Sequence, residues 1–276
     1  MKIECVLITG TTSGLGRALL DLYAKSGVKV ISVNRRRVPE LEALYPEVRF
    51  ECVDVRVVED VERLVLDLAR SAELPDVFIL NAGINRADND ESFDLPNYQS
   101  VIETNLYGVL NFVPPLMQLG RGRAARHLVA VSSMANYVGN PYALGYTTSK
   151  QALTTCFKVW SSMYAETDLI FQRVMLGPVD TAIYTMQGSF PAWMVWVKSL
   201  CSAPLDATAR AVSRFALTRK ESLFYPWRAL PLYLGLWLCR SLVPGFFRGK
   251  KTLAGRARRV APLGPGSAHD PMRRGR

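Results

Sequence analysis

The chain has 276 residues, of which 49% are hydrophobic, so it can form one large domain with a substantial core. No Gly/Ser-rich linker divides it. The net charge is +10, but nine basic residues and only one acid lie in residues 248–276, leaving 25 basic against 23 acidic residues in 1–247. A nearly neutral body with a basic tail that lacks interleaved aromatics is not typical of nucleic-acid binding, so no nucleic acid is expected as a partner.

The numbers and positions of the cysteines and histidines argue against disulfide-bonded proteins, metalloproteins and serine hydrolases. The five cysteines are scattered without a C-x-x-C pair, which predicts reduced thiols and no disulfide: Cys5, Cys52, Cys156, Cys201 and Cys239. With only His127 and His269 available, we expect neither a metal site nor a Ser/His/Asp triad. Charged Lys2 and Glu4 lead directly into a strand, so we expect no signal peptide and a cytoplasmic location.

The N-terminus predicts a strand, a glycine-rich turn and a helix. A β-rich run over 3–8 is followed by Thr9-Gly10-Thr11-Thr12-Ser13-Gly14-Leu15-Gly16 and an amphipathic segment over 17–25. Glycines permit positive φ and close backbone approach, and a helix N-terminus attracts a pyrophosphate. The turn is therefore a candidate dinucleotide site, although a tight strand-to-helix connection explains the same glycines.

A second strand is predicted over 28–33, and it ends at Asn34-Arg35-Arg36-Arg37. An acid at this edge binds the ribose 2′-hydroxyl of NAD, whereas guanidinium groups suit a 2′-phosphate. The sequence therefore favours NADP(H), with NAD(H) left open. A solvated basic turn is the alternative interpretation.

Two further strands complete the first half of the predicted sheet. The strand over 48–53 ends at Asp54, whose carboxylate suits a hydrogen bond from an adenine amine, a cap of the helix predicted over 57–70, or both. The strand over 77–80 leads to Asn81-Ala82-Gly83, where small residues let the chain pass close to a ligand. Strands alternating with helices predict an α/β fold with a parallel, doubly wound sheet.

A helix is predicted over 97–112, and Pro114-Pro115 must bend or end it. Asn105 lies inside this helix. A mid-helix Asn is disfavoured unless its amide is satisfied, so it either faces another helix or marks a helix distorted near an active site.

The segment from Ser133 to Lys150 carries the candidate chemistry. Ser133 follows an apolar strand predicted over 128–131, at the edge of the sheet where ligands bind. Tyr146 and Lys150 are four residues apart, so a helix over 143–165 places them on one face. A phenol titrates near 10, and a neighbouring ammonium favours the phenolate, which suits Tyr146 to proton transfer. In isolation, the pair also fits an ordinary half-buried Tyr and a solvated Lys.

Taken together, these motifs resemble the short-chain dehydrogenase/reductase family, in its order and with its thirteen-residue spacing between Ser133 and Tyr146, over roughly residues 3–182. The later segment Gly177-Pro178-Val179-Asp180-Thr181 also matches. Leu80 and Leu176 depart from the family's usual Asn and Pro. The resemblance implies a single Rossmann-like domain whose cofactor-binding residues are Thr9, Gly10, Thr12, Ser13, Gly14, Leu15, Gly16, Asn34, Arg35, Arg36, Asp54, Val55, Asn81, Ala82, Gly83, Tyr146, Lys150, Gly177, Pro178, Val179 and Thr181.

The resemblance also implies catalytic roles. Tyr146 is the general acid in carbonyl reduction and the base in the reverse reaction, while Lys150 lowers its pKa and binds the nicotinamide ribose. Ser133 orients the carbonyl oxygen, and Asn105 holds a water that relays protons through Lys150. The expected activity interconverts a carbonyl and an alcohol on a lipophilic substrate. The alternative is an NADP(H)-sensing or scaffold protein without turnover.

Beyond Thr181 the family's motifs end. Aromatic and Met residues over 183–204 suggest a lid over an apolar substrate or a packed core segment, before a helix over 206–217 and an edge strand over 222–225. We divide the chain into a cofactor-binding domain (1–226), an apolar extension (227–250) and a basic, disordered tail (251–276). The apolar run over 229–239 is too short to span a bilayer. Three alternatives stay open for residues 227–259: contact with a membrane interface, a cover over the substrate, or pairing with another subunit in a homo-oligomer.

Overall fold

The computed structural model describes residues 3–86, 93–119, 125–138, 143–179 and 201–242. Seven parallel strands form one sheet in the order β3-β2-β1-β4-β5-β6-β7. The strands are β1 (Cys5–Thr9), β2 (Lys29–Asn34), β3 (Arg49–Cys52), β4 (Val77–Leu80), β5 (Arg126–Ser133), β6 (Leu169–Leu176) and β7 (Ser222–Tyr225). The strand order reverses between β1 and β4, which defines the crevice where ligands bind in folds of this kind. The predicted doubly wound sheet is confirmed.

Helices connect these strands along the chain. They are α1 (Gly14–Lys25), α2 (Pro39–Leu44), α3 (Val58–Arg70), α4 (Leu95–Ile102), α5 (Gly108–Leu110), α6 (Val113–Gln118), α7 (Ala135–Val138), α8 (Leu144–Met163), α9 (Leu205–Ala216) and α10 (Leu230–Leu242). A π-helix (Glu103–Tyr107) lies between α4 and α5, and a 3₁₀ turn (Trp227–Ala229) leads into α10. The predicted helices over 17–25, 57–70, 143–165 and 206–217 correspond to α1, α3, α8 and α9.

Alternation along the strands explains why both faces of the sheet are covered. In β1, Val6 and Ile8 face a core with helices α1 and α9, whereas Leu7 faces a second core with α3, α6 and α8. Each helix contributes an apolar stripe at helical spacing, as α3 does with Val61, Leu64, Val65 and Leu68. Burial on both faces is typical of parallel sheets, and it leaves the strand ends as the place for polar chemistry.

The helix predicted over 97–112 is not continuous. The chain forms α4, a π-helix that contains Asn105, the short α5, and a turn at 111–112. Pro114 and Pro115 then occupy the first turn of α6, where a missing N–H does no harm. The prediction of a distorted helix around Asn105 is therefore correct, and that of an unbroken helix is wrong.

Within the apolar extension, α10 covers Leu230–Leu242. Before it, the amide of Gly177 donates to Tyr225 O at 2.9 Å, and Ala229 is fully buried. Helix α10 packs against α7, which directly follows β5. No helix among the described residues is long and apolar enough to cross a membrane. Most of the predicted lid, residues 183–200, and all of the basic tail lie outside the described residues.

Candidate active site

A cleft opens at the carboxyl ends of the central strands, on the edge predicted from the sequence. It encloses about 850 Å³, including space open to solvent, and brings together the glycine turn, the end of β4, the end of β5 and the start of the loop after β6. Its walls include Ser13, Gly14, Leu15, Asn81, Gly83, Ser133, Tyr146, Lys150, Gly177 and Val179. Ten of the predicted cofactor-binding or catalytic positions thus share one cavity.

The glycine turn leaves no room for side chains. Gly10 and Gly14 have φ of +73° and +55°, which L-residues rarely adopt. A Cβ on Gly16 would lie only 2.0 Å from Gly10 O, so α1 begins in direct contact with the turn. Ser13 precedes α1 without forming a side-chain cap. The N–H groups of this first turn therefore suit an anionic group such as a pyrophosphate.

Polar contacts tie the turn to its neighbouring strands. Thr9 Oγ1 accepts hydrogen bonds from the amides of Asn81 and Ala82, both at 2.9 Å. Asn34 Oδ1 accepts from the amide of Thr11 at 2.9 Å, and its Nδ2 donates to Thr11 Oγ1 and Ser32 Oγ. The Asn34 amide is thus engaged within the protein, so its contribution to a cofactor site is to hold the turn against β2.

The ends of β2 and β3 carry the charged residues predicted to choose the cofactor. Arg35 and Arg36 are exposed, whereas Arg37 forms an ion pair with Glu42. The neighbouring carboxylate, Asp54, is paired with Arg56 at 2.6 Å.

The surroundings of Asp54 bear on one of the two roles considered for this acid, the cap of α3. The Arg56 guanidinium lowers the pKa of Asp54. Val57 is the N-cap residue of α3 and no side chain caps that helix, so the capping role for Asp54 is wrong. Val55, also a predicted cofactor contact, is buried against Gly108.

Ser133, Tyr146 and Lys150 meet as the spacing predicts. The Ser133 hydroxyl is hydrogen-bonded to the Tyr146 phenol, and it also lies 3.4 Å from Leu176 O. Lys150 Nζ lies 5.9 Å from the centroid of the Tyr146 ring and donates to Val131 O at 2.7 Å. An ammonium has three donors, and this bond uses one of them.

Burial has the largest effect on the pKa values of Tyr146 and Lys150. It raises the pKa of Tyr146, and the hydrogen bond with Ser133 lowers that pKa by a smaller amount. Burial also lowers the pKa of Lys150 to about 8. The shift of the Tyr146 pKa is therefore opposite to the lowering expected from Lys150, because desolvation disfavours the phenolate.

Asn105 is fully buried at the back of the cleft. Its Oδ1 accepts from the amide of Ile84 at 2.7 Å, while Nδ2 donates to Ile84 O at 2.8 Å and to Ser149 Oγ at 3.2 Å. A Cβ on Gly83 would lie 3.2 Å from Asn105 Oδ1 and 3.6 Å from Lys150 Nζ, so both groups border the same small space. The amide is satisfied without a water, and the proton relay stays a prediction.

The loop after β6 lines one side of the cleft and packs against the C-terminal segment. A Cβ on Gly177 would lie 3.0 Å from the Ala229 Cβ, and Pro178 O accepts from the amide of Ala203 at 3.1 Å. Thr181 lies outside the described residues. Sequence reasoning missed three lining residues, Val131, Ser132 and Leu176. Their positions at the ends of β5 and β6 were the available signal.

Comparisons with known proteins identify related sequences. A profile described as short chain dehydrogenase matches residues 4–190. The 3-oxoacyl-(acyl-carrier-protein) reductase FabG of Aggregatibacter actinomycetemcomitans is 28% identical over 189 residues, covering 65% of this chain and 78% of the relative. An uncharacterized oxidoreductase of Myxococcus xanthus (strain DK1622) is 33% identical over 162 residues, covering 56% and 64%.

Solved structures share the fold. A short-chain dehydrogenase from Streptomyces avermitilis superposes with a TM-score of 0.71 at 21% identity, covering 84% of this chain and 92% of that chain. An alcohol dehydrogenase from Thermococcus sibiricus complexed with 5-hydroxy-NADP gives a TM-score of 0.64 at 23% identity, covering 80% and 95%. With the profile match over most of the sheet, these findings establish that the chain belongs to the short-chain dehydrogenase/reductase family of NAD(P)-dependent oxidoreductases.

Proposed function

We propose that the protein is an NADP(H)-dependent oxidoreductase that interconverts a carbonyl and an alcohol on a lipophilic substrate, with Tyr146 as the acid/base. The observation that carries this proposal is the hydrogen bond between Ser133 and Tyr146 beside the buried Lys150, in the same cleft as the glycine turn. A binding protein needs the turn and Lys150, but it has no need of a phenol bonded to Ser133.

Each residue has a distinct task in this reaction. Ser133 donates to the carbonyl oxygen and holds it beside Tyr146, whose phenol gives a proton to that oxygen in reduction and takes it back in oxidation. Lys150 remains largely protonated near pH 7, since its pKa is about 8. Its two donors beyond the bond to Val131 are available for the ribose hydroxyls. When bound, the nicotinamide cofactor supplies or accepts the hydride.

Asn105 supports this arrangement from behind. Its hydrogen bonds to both backbone groups of Ile84 fix the segment after β4, and its bond to Ser149 reaches the helix that carries Tyr146 and Lys150. Because Asn105 Oδ1 and Lys150 Nζ border one space above Gly83, a water there would connect them. Asn105 is thus a positioning residue and the candidate end of a proton relay.

The preference for NADP(H) rests on charge at the end of β2. The amide of Gly10 donates to Val33 O at 2.9 Å, so the strand end adjoins the glycine turn. Arg35 and Arg36 follow within three residues, and both are exposed. The nearby carboxylate of Asp54 is occupied by Arg56. Two exposed guanidinium groups beside the turn suit a 2′-phosphate.

A lipophilic substrate is supported by the apolar side chains that line part of the cleft, which are Leu15, Val131, Leu176 and Val179. The relative named as a 3-oxoacyl-(acyl-carrier-protein) reductase supports the same substrate class by analogy.

Titration of the purified protein with NADPH and NADH, followed by NADPH oxidation with a panel of long-chain and cyclic ketones, tests the proposal. We expect tighter binding of NADPH and turnover of at least one lipophilic ketone. Binding without turnover across the panel would favour the sensor alternative. Absence of binding to either nucleotide would contradict the assignment of the cleft.

Helix α10 also supports a contact with a membrane surface. Ala229 is fully buried and Tyr233 packs against the body, whereas Leu234, Trp237 and Leu238 are exposed by 46–49%, and Leu242 by 73%. The sequence after α10 carries six basic residues over 248–259. An apolar helix face followed by positive charge suits an anionic bilayer surface.

Flotation with anionic liposomes tests the membrane contact. We expect the double variant Trp237→Glu, Leu238→Glu to lose binding, because it places charge on the exposed apolar face. Leu44→Glu is the matched control, since Leu44 is 60% exposed on α2 at a different surface. Equal flotation of all three proteins would exclude this face. A lower mass in solution for the double variant alone would instead identify the face as a contact between subunits.

A further inference from the structure

A set of polar contacts joins strand β5 to helix α8 next to the proposed catalytic groups. Ser132, which precedes Ser133, is 2% exposed, and its Oγ lies 2.7 Å from Thr154 Oγ1 and 3.1 Å from Lys150 O. Thr154 Oγ1 also lies 2.8 Å from Lys150 O. From α7, the buried Asn136 donates to the same Thr154 Oγ1 through its Nδ2 at 3.0 Å. Residues of β5, α7 and α8 therefore meet at one hydroxyl group.

The hydrogen bonds around Thr154 fit the capacity of a hydroxyl. A threonine hydroxyl has one proton to donate and two lone pairs that accept. Its proton is donated to Lys150 O, whereas its oxygen accepts from the Asn136 amide and from the Ser132 hydroxyl. Removing this hydroxyl would leave two buried polar side chains without this partner, which is unfavourable.

The contacts between β5 and α8 follow a regular register. Three consecutive residues of β5 each contact α8, and the pairs are Val131 with Lys150, Ser132 with Thr154, and Ser133 with Tyr146. Tyr146, Lys150 and Thr154 are spaced by four residues, so they share one face of the helix. Thr154 is not among the described residues that line the cleft, so it acts on the reaction only through its neighbours.

Apolar packing alone does not fix this register. Leu153 and Phe157 of α8 are fully buried against the sheet, and they hold the helix to it. Hydrophobic burial is non-directional, however, whereas hydrogen bonds require defined distances and angles. The polar contacts of Thr154 are therefore suited to set where α8 lies along β5.

We propose that Thr154 is a positioning residue whose hydroxyl fixes α8 against β5 and thereby holds Tyr146 and Lys150 beside Ser133. The inference rests on the proposed oxidoreductase function, since it assigns a task within the same site. Proton transfer needs the phenol within hydrogen-bond reach of the carbonyl oxygen, and a misplacement of about 1 Å can cost about a hundredfold in rate.

Thr154→Val tests the inference because it keeps the shape of the side chain and removes the hydroxyl. With saturating NADPH, we expect kcat for a ketone that the wild type reduces to fall by about tenfold, since a displacement smaller than about 1 Å is sufficient. The KM for the ketone and the Kd for NADPH should change by less than about threefold, because the groups that contact both ligands are retained. Thr154→Ser restores the hydroxyl and should recover kcat to within about twofold of the wild type.

Thr155→Val is the matched control. Thr155 is exposed, and its Oγ1 donates to Gln151 O at 3.1 Å within the same helix. This variant loses the same kind of bond along α8 without a link to β5, so its kcat should equal that of the wild type. Asn136→Ala removes another part of the network and should lower kcat in the same way as Thr154→Val. Urea unfolding identifies the variants that are folded under the assay conditions.

Two results would overturn the inference: an unchanged kcat in the folded Thr154→Val or Asn136→Ala variant, or a loss in Thr154→Val that Thr154→Ser does not recover. In both cases turnover by the wild type would still support the proposed function. A wild-type protein that reduces no ketone would overturn both.

Discussion

Replacing Lys150 by Met gives a pH-dependent change in stability whose size follows from burial. Lys150 is 4% exposed, and burial lowers its pKa from 10.5 to about 8. The unfolded chain therefore binds more protons than the folded protein between these values, so the free energy of unfolding rises with pH across this window. The pKa difference corresponds to about 3 kcal/mol.

Met has a similar length and no charge, but it loses the hydrogen bond to Val131 O. That loss costs about 1 kcal/mol. At pH 7 the variant Lys150→Met is thus expected to be more stable than the wild type by about 2 kcal/mol. As pH rises toward 10.5, the wild-type lysine becomes neutral in both states and the advantage disappears.

Urea unfolding at three pH values from 7 to 10, at constant ionic strength, measures this difference. Other titrating groups are common to both proteins and cancel in the comparison. Lys158→Met is the matched control, because it removes an exposed lysine from the same helix. A difference between Lys150→Met and the wild type that stays constant across the range would refute the burial argument.

Two other predictions concern the cofactor. Gly16→Ala would place a Cβ 2.0 Å from Gly10 O, so it should weaken NADPH binding and lower the free energy of unfolding by about 3 kcal/mol or more. Gly235→Ala in α10, whose Cβ meets no atom within 4 Å, is the control and should leave NADPH binding unchanged. Fluorescence titration and urea unfolding measure these effects, and a normal NADPH affinity of Gly16→Ala would contradict the role of the turn. The double variant Arg35→Ala, Arg36→Ala should raise the Kd for NADPH at least about tenfold while altering that for NADH little, and equal losses would contradict a phosphate role. Arg70→Ala, at an exposed ion pair on α3, is its control.

The sheet and most of the cleft were predictable because they follow from local signals. Strand runs, glycines and the spacing of Tyr146 and Lys150 are read within a few residues, and the parallel order then brings strand ends together. The break of the helix at Asn105 was harder to foresee. Its amide is satisfied by Ile84 after β4 and Ser149 on α8, which are contacts between segments 21 and 44 residues away.

Other features depended on which side chains pair or pack together. The sequence does not distinguish Arg56 and Arg37 from Arg35 as cofactor-binding arginines. In the structure, however, Arg56 pairs with Asp54 and Arg37 pairs with Glu42. Tyr233 lies in an apolar run with several possible roles, and only the structure shows that it packs against Met134 and Met175. Sequence patterns alone do not specify such tertiary partners.

We propose that Tyr146 transfers the proton in a nicotinamide-dependent reaction. This role is tested by NADPH oxidation with a lipophilic ketone, comparing the wild type with Tyr146→Phe, and with Tyr137→Phe as a control on the neighbouring α7. We predict that Tyr146→Phe retains the wild-type affinity for NADPH but loses about a thousandfold in kcat, as for removal of a general acid. A Tyr146→Phe enzyme that turns over at the wild-type rate would contradict the account.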